Sequence, residues 1–181
     1  SSAGTSNHTD GYYRIDYTDA MMSALNDGYT MEAVVMVNAA PNGNEIKAFS
    51  ATTSGGMALM IANTGRGKGL EFIQHNGSSW CFASTDVIPE VGKYYHLVGV
   101  YDPATSKIYC YVNGELKASA ACTGIKHMTT SSSRVRAFTI GGNTQSNTQM
   151  NGAWCGEVSL ARIYDAPLTA DEVKALYEDV R

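Results

Sequence analysis

The sequence has few charged residues and no cluster of lysine or arginine. Asp, Glu, Lys and Arg together make up 17% of its 181 residues, and the formal net charge at pH 7 is −4. Nucleic acids and anionic membrane surfaces bind proteins that display clustered positive charge. We therefore expect neither of these partners.

Long apolar stretches are also missing. The longest apolar run is the mixed segment around residues 57–62, which is far too short to span a bilayer. Residues 1–10 contain no Met and no charged-then-apolar signal pattern, so they are expected to be a linker or an exposed boundary. Residues 11–181 are enough for a single domain with its own core.

The four cysteines lack the spacing of a CxxC-type zinc or redox motif. An even number permits disulfide bonds, with three possible connectivities. Cys110 lies inside a predicted strand and is interpreted as a small core residue. A Cys81–Cys155 bridge and no bridge at all stay as equal alternatives.

What the chain does contain is typical of a turn-rich all-β protein. It has 18 Gly and 11 Tyr but only 4 Pro. Short runs of β-branched and aromatic residues alternate with turn signals, which favours a two-sheet antiparallel sandwich. The predicted strands cover residues 11–17, 29–37, 45–52, 57–62, 70–75, 80–85, 94–101, 107–112, 115–121, 135–140 and a last strand that ends near 165. Helices are predicted only at 19–26, with Asp19 as the cap, and from Thr169, where Glu172 completes a capping box.

Asn113-Gly114 predicts a tight hairpin, because both residues tolerate the positive φ angles of a type I′ turn. A two-residue turn would pair Tyr111 with Leu116 and Tyr109 with Ala118 on one face of the hairpin. That face is predicted to be the more core-like one, with Ile108, Cys110 and Val112 on the opposite face.

Two blocks of sequence resemble the laminin-G-like domains of the concanavalin A-like lectin/glucanase superfamily. The first is Gly-Lys-aromatic-x-His, an apolar run, Tyr-Asp, and a strand that ends in Tyr-Val-Asn-Gly-x-Leu, within residues 92–116. The second comprises residues 138–142, 156–165 and 167–173. The resemblance implies a jelly-roll sandwich with a short C-terminal helix. It also implies a domain of a larger exported bacterial protein, located outside the cell, on its surface or in the periplasm.

The resemblance alone does not define the activity, since this superfamily includes lectins, hydrolases, lyases and inert spacers. Its hydrolases carry two carboxylates on one strand in a Glu-x-Asp-x-x-Glu pattern, which this sequence lacks. A divergent polysaccharide lyase would need His, Tyr and Arg side chains in one groove. The candidates are His75, His96, Tyr95, Tyr109, Arg134 and Arg136, but His96 occupies a position where relatives carry a structural histidine.

Sugar binding needs a flat aromatic ring and nearby polar groups. Trp80 and Trp154 both lie beside polar turns, and Trp154 follows an Asn/Gln-rich loop, although both could instead close the ends of the sandwich. The predicted glycan-binding residues are Trp80, Trp154, Asn143, Gln145, Asn147, Gln149, Tyr95, Tyr109, Tyr111 and His75. We therefore predict a non-catalytic carbohydrate-binding accessory domain. A protein-interaction or spacer module is the first alternative, and a lyase is the second.

Calcium is a further implication of the resemblance. Relatives bind it through Asp, Asn and backbone carbonyl oxygens. In the closing strand, however, Ser159 replaces the Asp of many relatives. Asp10, Asp16, Asp27 and Asp102 remain possible ligands, although aspartates in turns are usually turn formers.

Overall fold

The computed structural model describes residues 11–129, 136–144 and 150–181, and shows two packed antiparallel sheets. The strands, in chain order, are β1 (Tyr13–Asp16), β2 (Tyr29–Val37), β3 (Ile46–Thr52), β4 (Gly56–Ile61), β5 (Leu70–His75), β6 (Trp80–Ser84), β7 (Tyr94–Asp102), β8 (Lys107–Val112), β9 (Glu115–Ala121), β10 (Ala137–Ile140), β11 (Asn143–Thr144), β12 (Met150–Asn151) and β13 (Gly156–Tyr164). The predicted jelly-roll-like sandwich is confirmed.

The strand order places the two ends of the chain on different sheets. One sheet has six strands in the order β1-β10-β3-β4-β5-β6, and the other has five in the order β13-β2-β7-β8-β9. The short strands β11 and β12 pair with each other, so the loop predicted to lack structure has a small ladder at its base.

The main core lies between the sheets. Each strand presents alternate residues to this space, as the two-residue period of a strand requires. Gly99 on β7 lies directly against the ring of Phe72 on β5, and a Cβ atom at Gly99 would be 2.3 Å from that ring. The glycine therefore lets the two sheets approach each other closely.

Helix α1 (Asp19–Ala24) packs beside the core, and helix α2 (Ala170–Val180) closes the chain. Thr18, and not Asp19, caps α1, because its hydroxyl accepts the Met21 backbone N–H at 3.2 Å. The predicted capping box between Thr169 and Glu172 is present at α2. Of the helices in the described residues, none is long and apolar enough to cross a membrane.

The β8–β9 hairpin has the predicted turn, with φ angles of 52° at Asn113 and 76° at Gly114. Its faces, however, are the reverse of the prediction. Ile108, Cys110 and Val112 point into the main core, whereas Tyr109 and Tyr111 lie on the outer face beside Val173 of α2. Both faces of β8 are covered, so the tyrosines are packed by the helix.

The register of this hairpin also differs from the prediction. Tyr111 pairs with Leu116 as expected, but a bulge brings Ala118 opposite Cys110 and Ser119 opposite Tyr109. The one-residue slip changes which side chains share a face.

All four cysteines are buried, and no disulfide bond joins any two of them. Cys155 immediately precedes β13, at one edge of the five-stranded sheet, whereas Cys81 lies on β6, which packs beside β9 at the opposite edge. This separation rules out the predicted Cys81–Cys155 bridge in this structure.

Candidate functional site

The outer face of the six-stranded sheet carries a small apolar cluster. Ala58 and Met60 of β4 and Ile73 of β5 turn away from the main core and contact one another. Trp80, on the edge strand β6, packs against them and is only half-buried. We call this surface the outer platform: Trp80 and Phe82 form it, and the buried Ala58, Met60 and Ile73 lie beneath Trp80. It offers an aromatic ring supported from below.

His75 flanks the Trp80 ring. The two residues are cross-strand partners, and their ring centroids lie 5.0 Å apart at an interplanar angle of 83°. The Gly77 backbone N–H donates to His75 Nδ1 at 3.0 Å, so in the neutral ring the proton is on Nε2. Burial and the neighbouring Lys126 lower the pKa of His75. A neutral N–H donor therefore lies at the edge of the tryptophan.

Phe82 extends the outer platform, and an arginine covers one side of its ring. The Arg66 guanidinium carbon lies 4.3 Å from the centroid of Phe82. Arg66 Nε also contacts both carboxylate oxygens of the buried Glu71, at 3.0 and 2.9 Å. Arg66, Glu71 and Phe82 were not predicted as site residues. The alternation of Glu71, Ile73 and His75 along β5 could have indicated that these side chains share one face of the sheet.

The charges at this end of the outer platform occur in pairs. Arg66 also donates to Glu45 at 2.6 Å, and Lys47 lies 3.5 Å from the second oxygen of Glu45. Ser84 donates its hydroxyl to Glu71 at 3.0 Å. Burial raises the pKa of Glu71 even though the ion pair with Arg66 opposes that shift. The group forms a fixed, charge-balanced wall beside Phe82.

Asn143 begins β11, in the separate two-stranded sheet. Its Oδ1 atom accepts the hydroxyls of Thr52 at 2.7 Å and of Ser50 at 3.4 Å. This acceptor is therefore used within the fold and connects β3 to the start of β11. The predicted residues Gln145, Asn147 and Gln149 lie outside the described residues.

Trp154 does not join this surface. It is 7% exposed and belongs to the main core, and its indole N–H donates to the Met36 carbonyl at 3.0 Å. Because its faces are packed, the ring has no free face for stacking. Trp154 therefore packs within the sandwich, which was the alternative to glycan binding for this residue.

The three predicted tyrosines belong to the five-stranded sheet, away from Trp80 and His75. Tyr111 is buried beneath α2, and Tyr109 packs beside it and donates to the Thr105 hydroxyl at 3.0 Å. Tyr95 is 4% exposed, and its hydroxyl accepts the Glu90 backbone N–H at 3.1 Å.

Tyr95 also lines an open cleft of about 680 Å³ between the 86–95 segment and the β8–β9 hairpin. Lys93 is paired with Glu90 at 3.0 Å, and Lys117 is paired with Glu115 at 2.6 Å. These lysines are already neutralised by their own neighbours.

The candidate lyase residues do not converge where the structure describes them. His96 is 3% exposed, and its Nε2 atom lies 3.0 Å from a carboxylate oxygen of the buried Glu32. Arg136 pairs with Asp19 at 2.5 Å, and Arg134 lies outside the described residues. The interpretation of His96 as a structural residue agrees with this burial.

Potential calcium ligands are scattered. Within residues 11–129, 136–144 and 150–181, no group of three or more His, Cys, Asp or Glu side chains is placed to hold a metal ion. Asp16 pairs with Arg14 at 3.5 Å, and Asp102 accepts the Ala104 backbone N–H at 2.9 Å as a turn former. Asp10 lies outside the described residues. Calcium binding stays a prediction.

Comparison with known proteins agrees with this architecture. A laminin G family model of the concanavalin A-like lectin/glucanases superfamily matches residues 7–174. A search of curated proteins found no match. A heptameric pentraxin from Limulus polyphemus is 21% identical, with a TM-score of 0.61 over 83% of this chain and 70% of the pentraxin.

Two further solved structures share the fold. The CBM40 module of a Ruminococcus gnavus IT-sialidase, bound to α2,3-sialyllactose, is 14% identical, with a TM-score of 0.65 over 94% of this chain and 96% of that module. A structure of botulinum neurotoxin type C, whose cell entry depends on two ganglioside molecules, is 11% identical, with a TM-score of 0.69 over 99% of this chain and 42% of the toxin chain. Identities this low show a common fold. The family model covers nearly the whole chain, which therefore belongs to the concanavalin A-like lectin/glucanases superfamily.

Proposed function

We propose that this chain is a non-catalytic carbohydrate-binding module that holds a sugar ring against Trp80 on the outer platform. The observation that carries the proposal is the half-buried Trp80 ring, supported by Ala58, Met60 and Ile73 and flanked by the His75 N–H donor. The module would serve as an accessory domain of a larger exported bacterial protein.

The chemistry of the outer platform suits a pyranose. One face of a sugar ring presents C–H groups that pack on an aromatic surface, while its hydroxyls need donors and acceptors at the rim. His75 supplies a donor next to Trp80. The Arg66 guanidinium and the Ser84 hydroxyl, both held in place by the buried Glu71, supply polar groups next to Phe82. Because these groups are already held in place, little side-chain entropy is lost on binding.

The structural relatives support this proposal without establishing it. The sialidase module was solved with a sialylated sugar, and the neurotoxin depends on gangliosides. A location outside the cell, on its surface or in the periplasm is part of the same proposal, since such glycans are found there.

The test is a glycan-array screen, followed by calorimetry on any glycan that binds. We expect Trp80→Ala to weaken binding about tenfold or more, because it removes the stacking surface. Tyr13→Ala is the matched control, since Tyr13 is an aromatic residue that is 76% exposed on β1, at the opposite edge of the same sheet.

Unchanged affinity in Trp80→Ala, or a folded wild-type protein that binds no glycan, would contradict the proposal. The screen is repeated with chelator. Loss of binding there would show that calcium takes part, and retained binding would show that the outer platform acts alone.

A second candidate is a protein-interaction module, and the exposed edge strand β1 favours it. Tyr13 and Ile15 are 76% and 50% exposed on β1, which among the described residues pairs with β10 alone. Apolar side chains on a free strand edge are a common protein-contact surface. Under this hypothesis, the double variant Tyr13→Lys/Ile15→Lys would lose binding to a neighbouring domain of the parent chain in a calorimetric titration, and Trp80→Ala would keep it.

A further inference from the structure

Two buried cysteines from distant parts of the chain meet at one edge of the sandwich. Cys81 lies on β6 and Cys122 directly follows β9, and these strands pack together. The exposed fractions of the two residues are 7% and 1%. Burial, and after it the neighbouring Cys81 thiol, raise the pKa of the Cys122 thiol.

A polar network fixes this arrangement. Gln74 is the cross-strand partner of Cys81, and its side-chain amide N–H donates to the Cys122 sulfur at 3.4 Å and to the Gly124 carbonyl at 2.7 Å. The Tyr29 hydroxyl donates to the Gln74 carbonyl oxygen at 2.5 Å. The Cys122 sulfur is therefore held beside Gln74, the cross-strand neighbour of Cys81.

The other two cysteines are placed differently. Cys110 lies in the middle of β8, with its thiol near the Phe72 backbone, and Cys155 precedes β13 at the far edge of the five-stranded sheet. Among the four cysteines, the thiol pair at the β6–β9 edge is the one that the fold brings together.

We propose that Cys81 and Cys122 form a disulfide bond when the protein folds in an oxidising compartment, and so join the two sheets at this edge. With glutathione disulfide as the oxidant, one cysteine thiolate attacks it and releases one glutathione. The second cysteine then attacks the mixed disulfide and releases another. Two protein thiols are oxidised to one disulfide, and one glutathione disulfide is reduced to two glutathione molecules.

The bond forms during folding and not afterwards. Burial raises the pKa of the Cys122 thiol, so the reactive thiolate is scarce once the core has closed. In the unfolded chain the same thiol is exposed and ionises more readily.

The position of this crosslink bears on the outer platform. Cys81 points inward between Trp80 and Phe82, which point outward from the same edge strand. A bond to Cys122 anchors the start of β6 to the other sheet. This consequence for ligand binding rests on the proposed function, whereas the bond itself does not.

The test is to refold the whole chain in a mixture of reduced and oxidised glutathione, and in parallel in dithiothreitol. Mass spectrometry of the intact protein should show the glutathione-refolded sample lighter by the mass of two hydrogen atoms. Peptide mapping without reductant should join the Cys81 and Cys122 peptides. Four free thiols in folded protein, or a bridge that includes Cys110 or Cys155, would overturn the proposal.

Matched variants separate this bond from other effects of cysteine substitution. Cys155→Ser should still form the bridge, and Cys122→Ser should not. The melting temperature of the wild type and of Cys155→Ser should fall by about 5–15 °C in dithiothreitol, since the bond constrains the unfolded chain. Cys122→Ser should show no such dependence. These readouts need no glycan, so failure of the proposed function would leave them unaffected. If the melting temperature of the wild type did not depend on the reductant, the proposal of a disulfide bond would be overturned.

Discussion

His96 and Glu32 form a buried pair beneath helix α2, with His96 Nε2 3.0 Å from Glu32 Oε1. The Tyr164 hydroxyl donates to the other carboxylate oxygen at 2.6 Å, and the ring of Tyr177 stacks on His96 with centroids 5.9 Å apart. The pair thus connects β2 and β7 to β13 and to the terminal helix. It explains why a histidine in the sequence block that resembles the family is structural.

This pair makes stability depend on pH in a defined direction. Burial alone would raise the pKa of Glu32, but hydrogen bonds from His96 and Tyr164 hold it below the usual value of 4.5. Because the folded-state pKa is lowered, the carboxylate stabilises the fold above about pH 4.5, and this contribution is lost as the pH falls through the lowered pKa. Glu32→Gln should lower the free energy of unfolding by about 1–3 kcal/mol at neutral pH.

Urea denaturation between pH 7 and about pH 3 checks this prediction. The difference between wild type and Glu32→Gln should shrink on acidification. Glu157→Gln is the control, because Glu157 is an exposed carboxylate on β13 that accepts the hydroxyl of the exposed Tyr94 at 2.8 Å. A pH-independent difference, or an equal loss in the control, would contradict the assigned role of Glu32.

Arg66 is expected to stabilise the fold by neutralising Glu71. Arg66→Met would leave a fully buried carboxylate without its counter-ion, which costs about 3–5 kcal/mol at neutral pH. The pKa of Glu71 is already raised by burial, and loss of Arg66 would raise it further. A carboxyl group with a raised folded-state pKa destabilises the fold as the pH rises through that pKa. The loss in free energy of unfolding of Arg66→Met relative to the wild type should therefore be largest at neutral pH and should shrink in acid.

Denaturation curves of Arg66→Met and of Lys68→Met, a lysine variant in the same loop, measure this effect. The control should change the free energy of unfolding by less than about 0.5 kcal/mol. If Arg66→Met were as stable as the control at neutral pH, the Arg66–Glu71 pair would contribute nothing to the fold.

The sequence predicted the strands well because their signals are local. Runs such as residues 29–37, 70–75 and 107–112 are rich in β-branched, aromatic or apolar residues and are bounded by turn formers, and the structure has strands with the same bounds. The Asn113-Gly114 turn and the capping box at Thr169 were predictable for the same reason. None of these features depends on distant residues.

The prediction of which face of β8 points into the main core was wrong, because both faces of this strand are buried. Both sides of β8 are buried, one by the other sheet and one by α2, so apolar alternation could not identify the core side. The bulge between β8 and β9 added a slip that the turn sequence does not encode. In such a strand, the position of a helix far along the chain decides which residues are internal.

The site was only partly predictable for a similar reason. Trp80 and His75 were both predicted glycan-binding residues, and the structure makes them cross-strand partners because they flank a short hairpin. Contact between Arg66 and Phe82 depends on how a loop folds over a strand, which no local pattern specifies. The burial of Trp154 likewise depends on the Met36 carbonyl, which lies 118 residues away in sequence.

Gly99 is predicted to be intolerant of a larger side chain. A Cβ atom there would lie 2.3 Å from the Phe72 ring, so Gly99→Ala forces the sheets apart or moves the ring and should cost about 1–3 kcal/mol. Gly65→Ala is the control, since its nearest neighbour to a new Cβ atom would be 3.3 Å away in a loop. Guanidinium denaturation should show the loss only at Gly99. Phe72→Leu should lower the free energy of unfolding by less in the Gly99→Ala background than in the wild type. Equal losses in the two backgrounds would contradict the contact between Gly99 and Phe72.

Trp154→Phe distinguishes packing from ligand binding at this residue. The substitution removes the indole N–H that donates to the Met36 carbonyl and leaves that buried acceptor unsatisfied. We expect a loss of about 1–3 kcal/mol in the free energy of unfolding, measured by urea denaturation. Affinity for any glycan bound by the wild type should not change, because the ring is buried in the main core and away from Trp80. The matched change Trp80→Phe should show the opposite pattern, with near-normal stability and weaker binding. A stable Trp154→Phe protein that no longer binds glycan would place the binding surface beside Trp154 and would reject the outer platform.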